Sequence, residues 1–252
     1  MKINALLEKM QPIALDEMYD IHLMERYDLK YAASVPLFPQ LLESMTPYFR
    51  VLTINDDRIS PYYTQYLDTS DLQMFRMHQN GKLNRQKIRI RSYVNSDLSF
   101  LEVKNKNNKG KTLKVRIPIS APRFWAEADR KAQKQFIDEN SSFAIEKLEP
   151  ILSNRFNRIT LVNHEKTERV TIDFDLSFFN HQTKDEKSVN NLLIFELKQN
   201  RKQHSCMNEL LDRLQIRPIS FSKYCMGTVL TNSQIKYNRF KPQWALVNKL
   251  IQ

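Results

Sequence analysis

The chain has 252 residues, with 39 Lys and Arg against 28 Asp and Glu and a formal net charge of +11. Its 41% hydrophobic and 27% charged residues are typical of a folded globular protein and exclude a disordered tail. No stretch approaches the roughly 18 consecutive apolar residues that a membrane helix needs, and the excess of positive charge favours polyanionic partners.

The sequence shows no internal division. No Gly/Ser-rich linker or repeat interrupts it, which predicts a single domain over 1–252, with an N-terminal helical segment at 1–20 and a C-terminal helix at 241–252. The two cysteines, Cys206 and Cys225, are too few and too isolated for a disulfide framework or a zinc site. Together with a start that lacks a charged and apolar leader segment, they predict a cytoplasmic protein.

Hydrophobic periodicity and turn residues predict a mixture of helices and strands. In chain order these are one or two helices over 4–19 interrupted at Pro12, a strand at 24–32, a helix at 36–49, a strand at 62–67, a helix capped within 68–71 and ending at 80–81, strands at 85–93, 99–105 and 112–118, a helix at 122–139, strands at 155–162, 168–175 and 191–199, a helix at 206–215, a strand at 219–224 and a helix at 243–251. This order predicts an α+β fold in which about eight mainly antiparallel strands curl into a β-barrel with flanking helices.

The most unusual feature is a group of basic strands. Because strand side chains alternate between two faces, the run at 85–91 places four cations on one face, namely Arg85, Lys87, Arg89 and Arg91. The strands at 99–105 and 112–118 repeat the pattern with Lys104, Lys114 and Arg116. Between residues 82 and 116 there are eleven Lys and Arg against two acidic residues. So much positive charge on one meander of strands predicts an anionic ligand.

The cationic face could be an outer, solvated surface or the lining of a curled sheet. Carboxylates occupy matching positions along several strands. Asp28 shares a face with Arg26 and Lys30, Glu102 with Lys104, and Glu196 with Lys198, while Asp173 shares one with a second carboxylate, Asp175. A bore that mixes many cations with a few carboxylates has a net positive potential and oxygen ligands for Mg²⁺ or Mn²⁺. Such a bore would suit a metal-bound polyphosphate.

Six motifs in order resemble those of a known family. They are Glu25-Arg26-Tyr27-Asp28-Leu29-Lys30-Tyr31, Gln65-Tyr66-Leu67-Asp68-Thr69, Lys87-Ile88-Arg89-Ile90-Arg91, Leu101-Glu102-Val103-Lys104, Phe195-Glu196-Leu197-Lys198 and Phe221-Ser222-Lys223-Tyr224. Over about 24–227 the chain resembles the VTC domain, the catalytic domain of the vacuolar transporter chaperone complex. That domain belongs to the triphosphate tunnel metalloenzyme (CYTH-like) superfamily.

The resemblance implies an eight-stranded antiparallel tunnel and a polyphosphate polymerase. Such an enzyme transfers the γ-phosphate of ATP to a growing inorganic polyphosphate chain with the help of Mn²⁺ or Mg²⁺. By motif position, the implied phosphate-binding and catalytic cations are Lys30, Arg89, Arg91, Lys104 and Lys223, with Arg116 and Arg158 as further basic tunnel residues. Glu196 is the implied metal ligand. The alternation of strand side chains adds Lys198 and Lys114, and it places Arg85 and Lys87 nearer a tunnel mouth.

The chain departs from the family's motif pattern at two places. The superfamily's opening motif has two glutamates where this chain has Arg26 and Asp28, and this difference disfavours thiamine-triphosphatase or adenylate cyclase activity. In addition, Phe156 stands where a tyrosine is expected near Arg158.

Several alternatives stay open. Glu102 is either an ion-pair partner of the basic wall or a metal ligand. The function could instead be that of a tripolyphosphatase or nucleoside triphosphatase, or of a non-catalytic polyanion-binding module. Nucleic acid is disfavoured because the basic strands are expected to lack aromatic platforms for bases. A separately encoded membrane protein could act as a partner.

Overall fold

A computed structural model describes residues 2–19, 26–200 and 205–251. The helices are α1 (Lys2–Glu8), α2 (Leu15–Tyr19), α3 (Phe38–Met45), α4 (Gln73–Gln79), α5 (Arg130–Asn140), α6 (Cys206–Arg213), α7 (Lys223–Leu230) and α8 (Lys241–Ile251). The strands are β1 (Pro12–Ile13), β2 (Arg26–Ser34), β3 (Phe49–Leu52), β4 (Ser60–Thr69), β5 (Arg85–Tyr93), β6 (Leu98–Lys106), β7 (Thr112–Ile119), β8 (Leu148–Asn163), β9 (Glu168–Asn180), β10 (Glu186–Val189) and β11 (Leu192–Asn200). None of the helices in these ranges is long and apolar enough to cross a membrane.

Eight long strands form one continuous antiparallel path. Their order is β2-β11-β9-β8-β4-β5-β6-β7, and the short strands β1, β3 and β10 attach at its sides. Within the described ranges, no strand pairing joins β7 back to β2. The sheet is nevertheless barrel-like, because side chains from its two ends interact across the interior: Lys104 of β6 lies in the electrostatic environment of Glu196 on β11 and of Lys30 on β2. The predicted α+β, barrel-like antiparallel fold with flanking helices is confirmed.

Apolar side chains of the strands alternate with polar ones, and helices α1, α3, α5 and α6 cover the apolar outer face, whereas α7 and α8 pack on residues of the opposite face such as Tyr66 and Ile194. Helix α5 packs Phe136 and Ile137 against the outer face of β5 and β6, where Ile88 and Val103 are fully buried. Helices α1, α3 and α6 cover the outer face of β2, β9 and β11 in a second cluster. Both clusters turn the opposite, inner face of the strands toward the enclosed space, here called the bore. Burial of these apolar residues therefore decides which residues line the bore.

The predicted last strand at 219–224 is wrong. Only Ile219 makes a β-bridge, to Lys30, and the chain then enters α7 at Lys223. The side chain of Ser222 accepts a hydrogen bond from the backbone N–H of Cys225 and so caps the helix. Nearly every residue of α7 is buried, so the helix carries no amphipathic pattern that could identify it in the sequence.

Other boundaries differ from the prediction where side chains act on the backbone. The predicted helix at 122–139 begins only at Arg130, because Trp125 has a left-handed φ of 61° and Asp129 accepts hydrogen bonds from Ser120 and Ala121. Strands β8 and β9 are longer than predicted, and β1, β3 and β10 were not predicted. The first two residues of the predicted strand at 24–32 lie outside the described residues.

The carboxylate of Asp68 ties three elements together. It is completely buried, and its oxygens accept hydrogen bonds from the backbone N–H groups of Thr69, Met74 and Phe75. The hydroxyl of Tyr224 donates a further bond of 2.6 Å to it. The predicted cap of α4 within 68–71 therefore also anchors α7 to β4, and this anchor holds Lys223 at the bore.

Candidate functional site

The four cations of β5 share the inner face of the strand. The intervening residues Ile88 and Ile90 are buried beneath α5 on the outer face. Across the antiparallel register, the inner-face partners are Arg85 with Lys106, Lys87 with Lys104, Arg89 with Glu102, Glu102 with Arg116, and Lys104 with Lys114. The basic meander predicted from the sequence is therefore one continuous wall of the bore.

The other predicted cations lie on the opposite wall or at its end. Lys30 and Lys198 flank Glu196, Arg158 lies opposite Asp173 in the β8–β9 register, and Lys223 is the first residue of α7. Electrostatic coupling links the two walls, since Arg91 lowers the pKa of Lys223 and Lys30 lowers the pKa of Lys87. The structure thus brings all of the predicted site residues to the inner face, although Lys223 arrives there from a helix rather than a strand.

Glu102 acts as a counter-ion inside the basic wall. Its side chain is 1% exposed, Arg89 Nε donates to it at 2.7 Å, and Lys114 forms an ion pair with its other oxygen. Burial alone would raise the pKa of this carboxyl, but Arg89, Arg91 and Lys114 together lower it to about 2. With both oxygens facing cations, Glu102 fits the ion-pair interpretation better than metal ligation.

Asp173 holds two cations on the opposite wall. Arg158 binds it in a bidentate manner, with Nε to Oδ1 at 2.6 Å and Nη2 to Oδ2 at 2.8 Å, and the Lys223 ammonium binds the same carboxylate. Burial lowers the pKa of Lys223 to about 8 even with this partner. The predicted companion, Asp175, does not share this face: it is exposed and has a φ of 52°, because a bulge in the β8–β9 pairing turns it outward.

Arg91 is a buried cation that lacks a carboxylate partner. It is 8% exposed, and its Nε makes one long hydrogen bond of 3.4 Å to the hydroxyl of Thr64. Among the described residues, no carboxylate lies within ion-pair distance of it. Burial lowers its pKa, and the neighbouring Arg89 acts in the same direction. A buried guanidinium with so few acceptors is costly unless a ligand supplies anionic oxygens.

Glu196 is the carboxylate best placed to hold a metal. It is about one quarter exposed toward the bore, with Lys198 at 3.3 Å and Lys30 at 3.6 Å. Burial would raise its pKa, but Lys198 and Lys30 hold the pKa well below its usual range, so the group stays ionised. In the described ranges no three His, Cys, Asp or Glu side chains converge. One carboxylate fits Mg²⁺ or Mn²⁺ only if phosphate oxygens and water complete the shell, which is how Mg²⁺ is commonly bound.

Two lysines at the centre of the basic wall, Lys104 and Lys87, differ in their exposure and hydrogen bonding. The side chain of Lys104 is exposed to solvent, although many protein atoms lie around it. This partial desolvation, together with the nearby cations Arg89 and Lys87, lowers the pKa of Lys104 to about 8. Lys87 donates a hydrogen bond of 2.9 Å to the Ser222 hydroxyl at the start of α7. Lys104 is therefore the more accessible charge, while Lys87 is hydrogen-bonded to the helix cap.

A row of aromatic rings on the inner face was missed by the sequence reasoning. Phe156, Tyr62 and Tyr93 follow one another at centroid distances of 5.1 and 5.0 Å, and Phe100 meets Tyr93 at 6.0 Å. Cations lie over these rings, including Arg158 over Tyr62 at 5.0 Å. The expectation that the basic strands lack aromatic platforms is wrong. The signal was present, because Tyr93 alternates in phase with the cations of β5 and Phe100 with Lys104.

Two surface concavities differ in their relation to the aromatic row. One of about 780 Å³ is lined by Trp125 and charged side chains of α5. One of about 830 Å³ lies at the row itself and is lined by Tyr62, Tyr93 and Phe156, together with Tyr63, Ser92 and Arg155 of the outer face. Neither is lined by any of the predicted site residues. The bore remains the candidate site.

A curled antiparallel sheet with cations and a few carboxylates on its inner face defines the triphosphate tunnel class of folds. The model of the VTC domain matches residues 25–232, and the chain therefore belongs to the VTC domain family. No curated protein matches this chain.

Among solved structures, the chain is similar to a candidate adenylate cyclase from Bacillus halodurans, with 13% identity, a TM-score of 0.51, and coverage of 79% of this chain and 96% of that one. It is also similar to a candidate adenylyl cyclase from Hippeastrum with a dominant triphosphatase activity, with 14% identity, a TM-score of 0.49, and coverage of 85% and 100%. At these identities the likeness to the Bacillus protein concerns the fold alone.

Proposed function

We propose that this protein is a polyphosphate polymerase, a transferase that moves the γ-phosphate of ATP onto a growing inorganic polyphosphate chain. The observation that carries the proposal is the buried guanidinium of Arg91, which has no carboxylate within ion-pair distance among the described residues and has Arg89, Arg158 and Lys223 around it. Two polyanions can meet in a bore only if cations offset their repulsion. Phosphoryl transfer then needs positioning and charge stabilisation more than covalent chemistry by the protein.

The arginines and lysines of the bore would bind phosphate in different ways because their charged groups differ in shape. Arg89 and Arg91 present planar forks that suit phosphate oxygens, whereas Lys30, Lys104 and Lys198 act as point charges on flexible stems. Lys114 and Arg116 extend the basic wall along β7, and Arg85 and Lys87 extend it toward the end of β5. A terminal phosphate is already ionised near neutral pH, so the proposed reaction requires no general base from the protein.

Mn²⁺ or Mg²⁺ is the proposed cofactor, and Glu196 is the residue that would hold it. When bound, such an ion offsets the charge on phosphate oxygens. The side chain suits this task because it is ionised, one quarter exposed and directed at the bore. Lys30 and Lys198 would keep Glu196 oriented. A cytoplasmic location and a separately encoded membrane partner remain expectations.

The products separate polymerase from hydrolase. We expect purified protein with ATP and Mn²⁺ to yield ADP and long phosphate chains on a polyacrylamide gel. A product mixture of ADP and orthophosphate alone would contradict the polymerase and favour a triphosphatase in the same bore. Metal-independent anion binding without turnover would favour a non-catalytic module.

Glu196→Gln tests the metal assignment. We expect the variant to lose metal-dependent turnover while it still binds tripolyphosphate in EDTA, because the change removes a negative charge from a cationic bore. The matched control is Asp175→Asn, since Asp175 is exposed on the outer side of the same sheet. Turnover in Glu196→Gln equal to that of the parent protein would remove Glu196 from the proposal.

Arg89→Ala tests the phosphate forks. Charge-assisted hydrogen bonds contribute about 1.5–3 kcal/mol, so we expect tripolyphosphate to bind roughly 10- to 150-fold more weakly by calorimetry. Arg155→Ala is the matched control, because Arg155 is exposed and stacks on Tyr63 of the outer face. Equal affinities in the two variants would show that the anion binds elsewhere.

A further inference from the structure

A threonine hydroxyl beside Glu196 lacks a hydrogen-bond partner. In the register of β9 and β11, Thr171 lies directly opposite Glu196, and its neighbours Val170 and Ile172 belong to the outer cluster, so Thr171 faces the bore. Thr171 is 7% exposed, and its Oγ1 makes no hydrogen bond within the described residues. Burying a hydroxyl without a partner costs free energy, which a ligand in the bore could recover.

The pairing allows the two side chains to share one ion. Residues directly opposite each other in an antiparallel pair have Cβ atoms about 4.5–5.5 Å apart. Mg²⁺ binds oxygen ligands at about 2.0–2.1 Å, so two oxygens on one ion lie at most about 4.2 Å apart. Rotation about χ1 moves the hydroxyl of Thr171 between staggered positions, and Glu196 has further rotatable bonds. One carboxylate oxygen and the hydroxyl can therefore reach a common ion.

The other carboxylates of the inner face are less suited to be the second ligand. Both oxygens of Asp173 bind cations, and so do both oxygens of Glu102. Asp28 lies opposite Lys198 in the β2–β11 register, one pair removed from Glu196. The hydroxyl on β9 adds an oxygen ligand without adding charge, and a serine or threonine hydroxyl binds Mg²⁺ in the same way in P-loop enzymes.

We propose that Thr171 is a second protein ligand of the divalent ion that Glu196 would hold. The inference rests on the metal assignment in the proposed function and adds a residue to it. Glu196 supplies charge, Thr171 supplies a neutral oxygen, and phosphate oxygens and water complete the shell. Because Lys198 and Lys30 lie at 3.3 and 3.6 Å from the carboxylate, the ion binds together with a polyphosphate that offsets these cations.

Thr171→Val tests this ligand, because valine keeps the shape of threonine and removes the hydroxyl. Calorimetry without turnover compares tripolyphosphate in EDTA with the Mn²⁺ complex of tripolyphosphate. We expect Thr171→Val to weaken binding of the Mn²⁺ complex about tenfold or more, since even residues that only support a metal ligand contribute about 10- to 100-fold to metal affinity. Binding in EDTA should be unchanged. Thr171→Ser keeps the hydroxyl and should restore affinity for the complex.

The stability of the variant separates ligation from a structural role. In urea unfolding with EDTA, Thr171→Val should be at least as stable as the parent protein, because it removes an unpaired buried hydroxyl. If Thr171 acted only in packing, the variant would lose stability and would weaken both forms of tripolyphosphate alike. That pattern would overturn the proposal.

Thr160→Val is the matched control. Thr160 lies opposite Thr171 on β8 and faces the same bore, but two strand spacings, about 10 Å, separate it from Glu196. We expect Thr160→Val to bind both forms like the parent protein, and a loss equal to that of Thr171→Val would overturn the ligand assignment.

Glu196→Gln distinguishes the two levels of the argument. If Glu196→Gln weakens binding of the Mn²⁺ complex and Thr171→Val does not, the inference about Thr171 fails and the metal assignment stands. If neither variant changes binding of the complex, both assignments fail. A polymerase assay that yields no long chains leaves either result unaffected, because only binding is measured.

Discussion

Replacing Glu102 by Gln tests whether the basic wall needs its internal counter-ion. The pKa of Glu102 falls from its ordinary 4.5 to about 2, a difference worth about 3 kcal/mol of folding free energy at 1.36 kcal/mol per pH unit. Breaking a buried ion pair typically costs about 3–5 kcal/mol. Lys114 is 39% exposed, which places the expected loss at the lower end, about 3 kcal/mol.

The dependence on pH identifies the cause. Because the folded-state pKa of Glu102 is depressed, its contribution is fully present above pH 4.5 and is lost as the pH falls through about 2. Urea unfolding should show a gap between the parent protein and Glu102→Gln at pH 7 that shrinks by more than half at pH 3. The control, Glu186→Gln on the exposed strand β10, should show no such gap.

The same variant separates the two interpretations of Glu102. As an ion-pair partner, Glu102 can be neutralised without loss of tripolyphosphate affinity, since the bore becomes more positive. As a metal ligand, it would be needed for metal-dependent turnover but not for stability. Unchanged stability at pH 7, or a gap that is the same at both pH values, would refute the reasoning from ion pairing.

Three further outcomes are expected. Tripolyphosphate affinity should fall as the pH rises through about 8, where Lys104 and Lys223 lose their protons. In calorimetric titrations Lys104→Arg should remove part of that fall, and a profile that Lys104→Arg leaves unaltered would exclude Lys104. Asp68→Ala removes the acceptor of four hydrogen bonds and should lower the free energy of unfolding, measured with urea, by about 3–5 kcal/mol. The control Asp71→Ala, on the surface, should change the free energy of unfolding little. Gly227→Ala should lower the free energy of unfolding by about 1–3 kcal/mol, because a Cβ there would overlap Phe178. A gain in thermal stability would show that α7 packs more loosely.

The basic strands were predictable because their pattern is local. Ile88 and Ile90 alternate with cations, and a strand can bury only one of its two faces. The opposite face of β5 then had to be cationic wherever the strand lay in the sheet. Glu102 and Lys104 follow from the same alternation on β6, and the antiparallel register confirms that they face the β5 cations.

Other parts of the site depended on contacts between distant residues. Lys223 binds Asp173 from helix α7, which is buried on nearly all sides. The sequence of α7 therefore lacks the hydrophobic periodicity that would have identified the helix. Asp175 leaves the inner face because of a bulge between β8 and β9, and a bulge depends on how two strands pair. The aromatic row joins rings from four strands that become neighbours only in the folded sheet.

The sequence by itself determined the alternation of charge, the α+β class and the set of residues that could line a bore. Only the tertiary structure decided which cations have carboxylate partners and which do not. Arg89 and Arg158 are neutralised by buried carboxylates, whereas Arg91 is buried beside Thr64 and Tyr62. The reason is physical: strand alternation is set by neighbouring residues along the chain, but the electrostatic environment of a side chain is set by the groups that folding places around it.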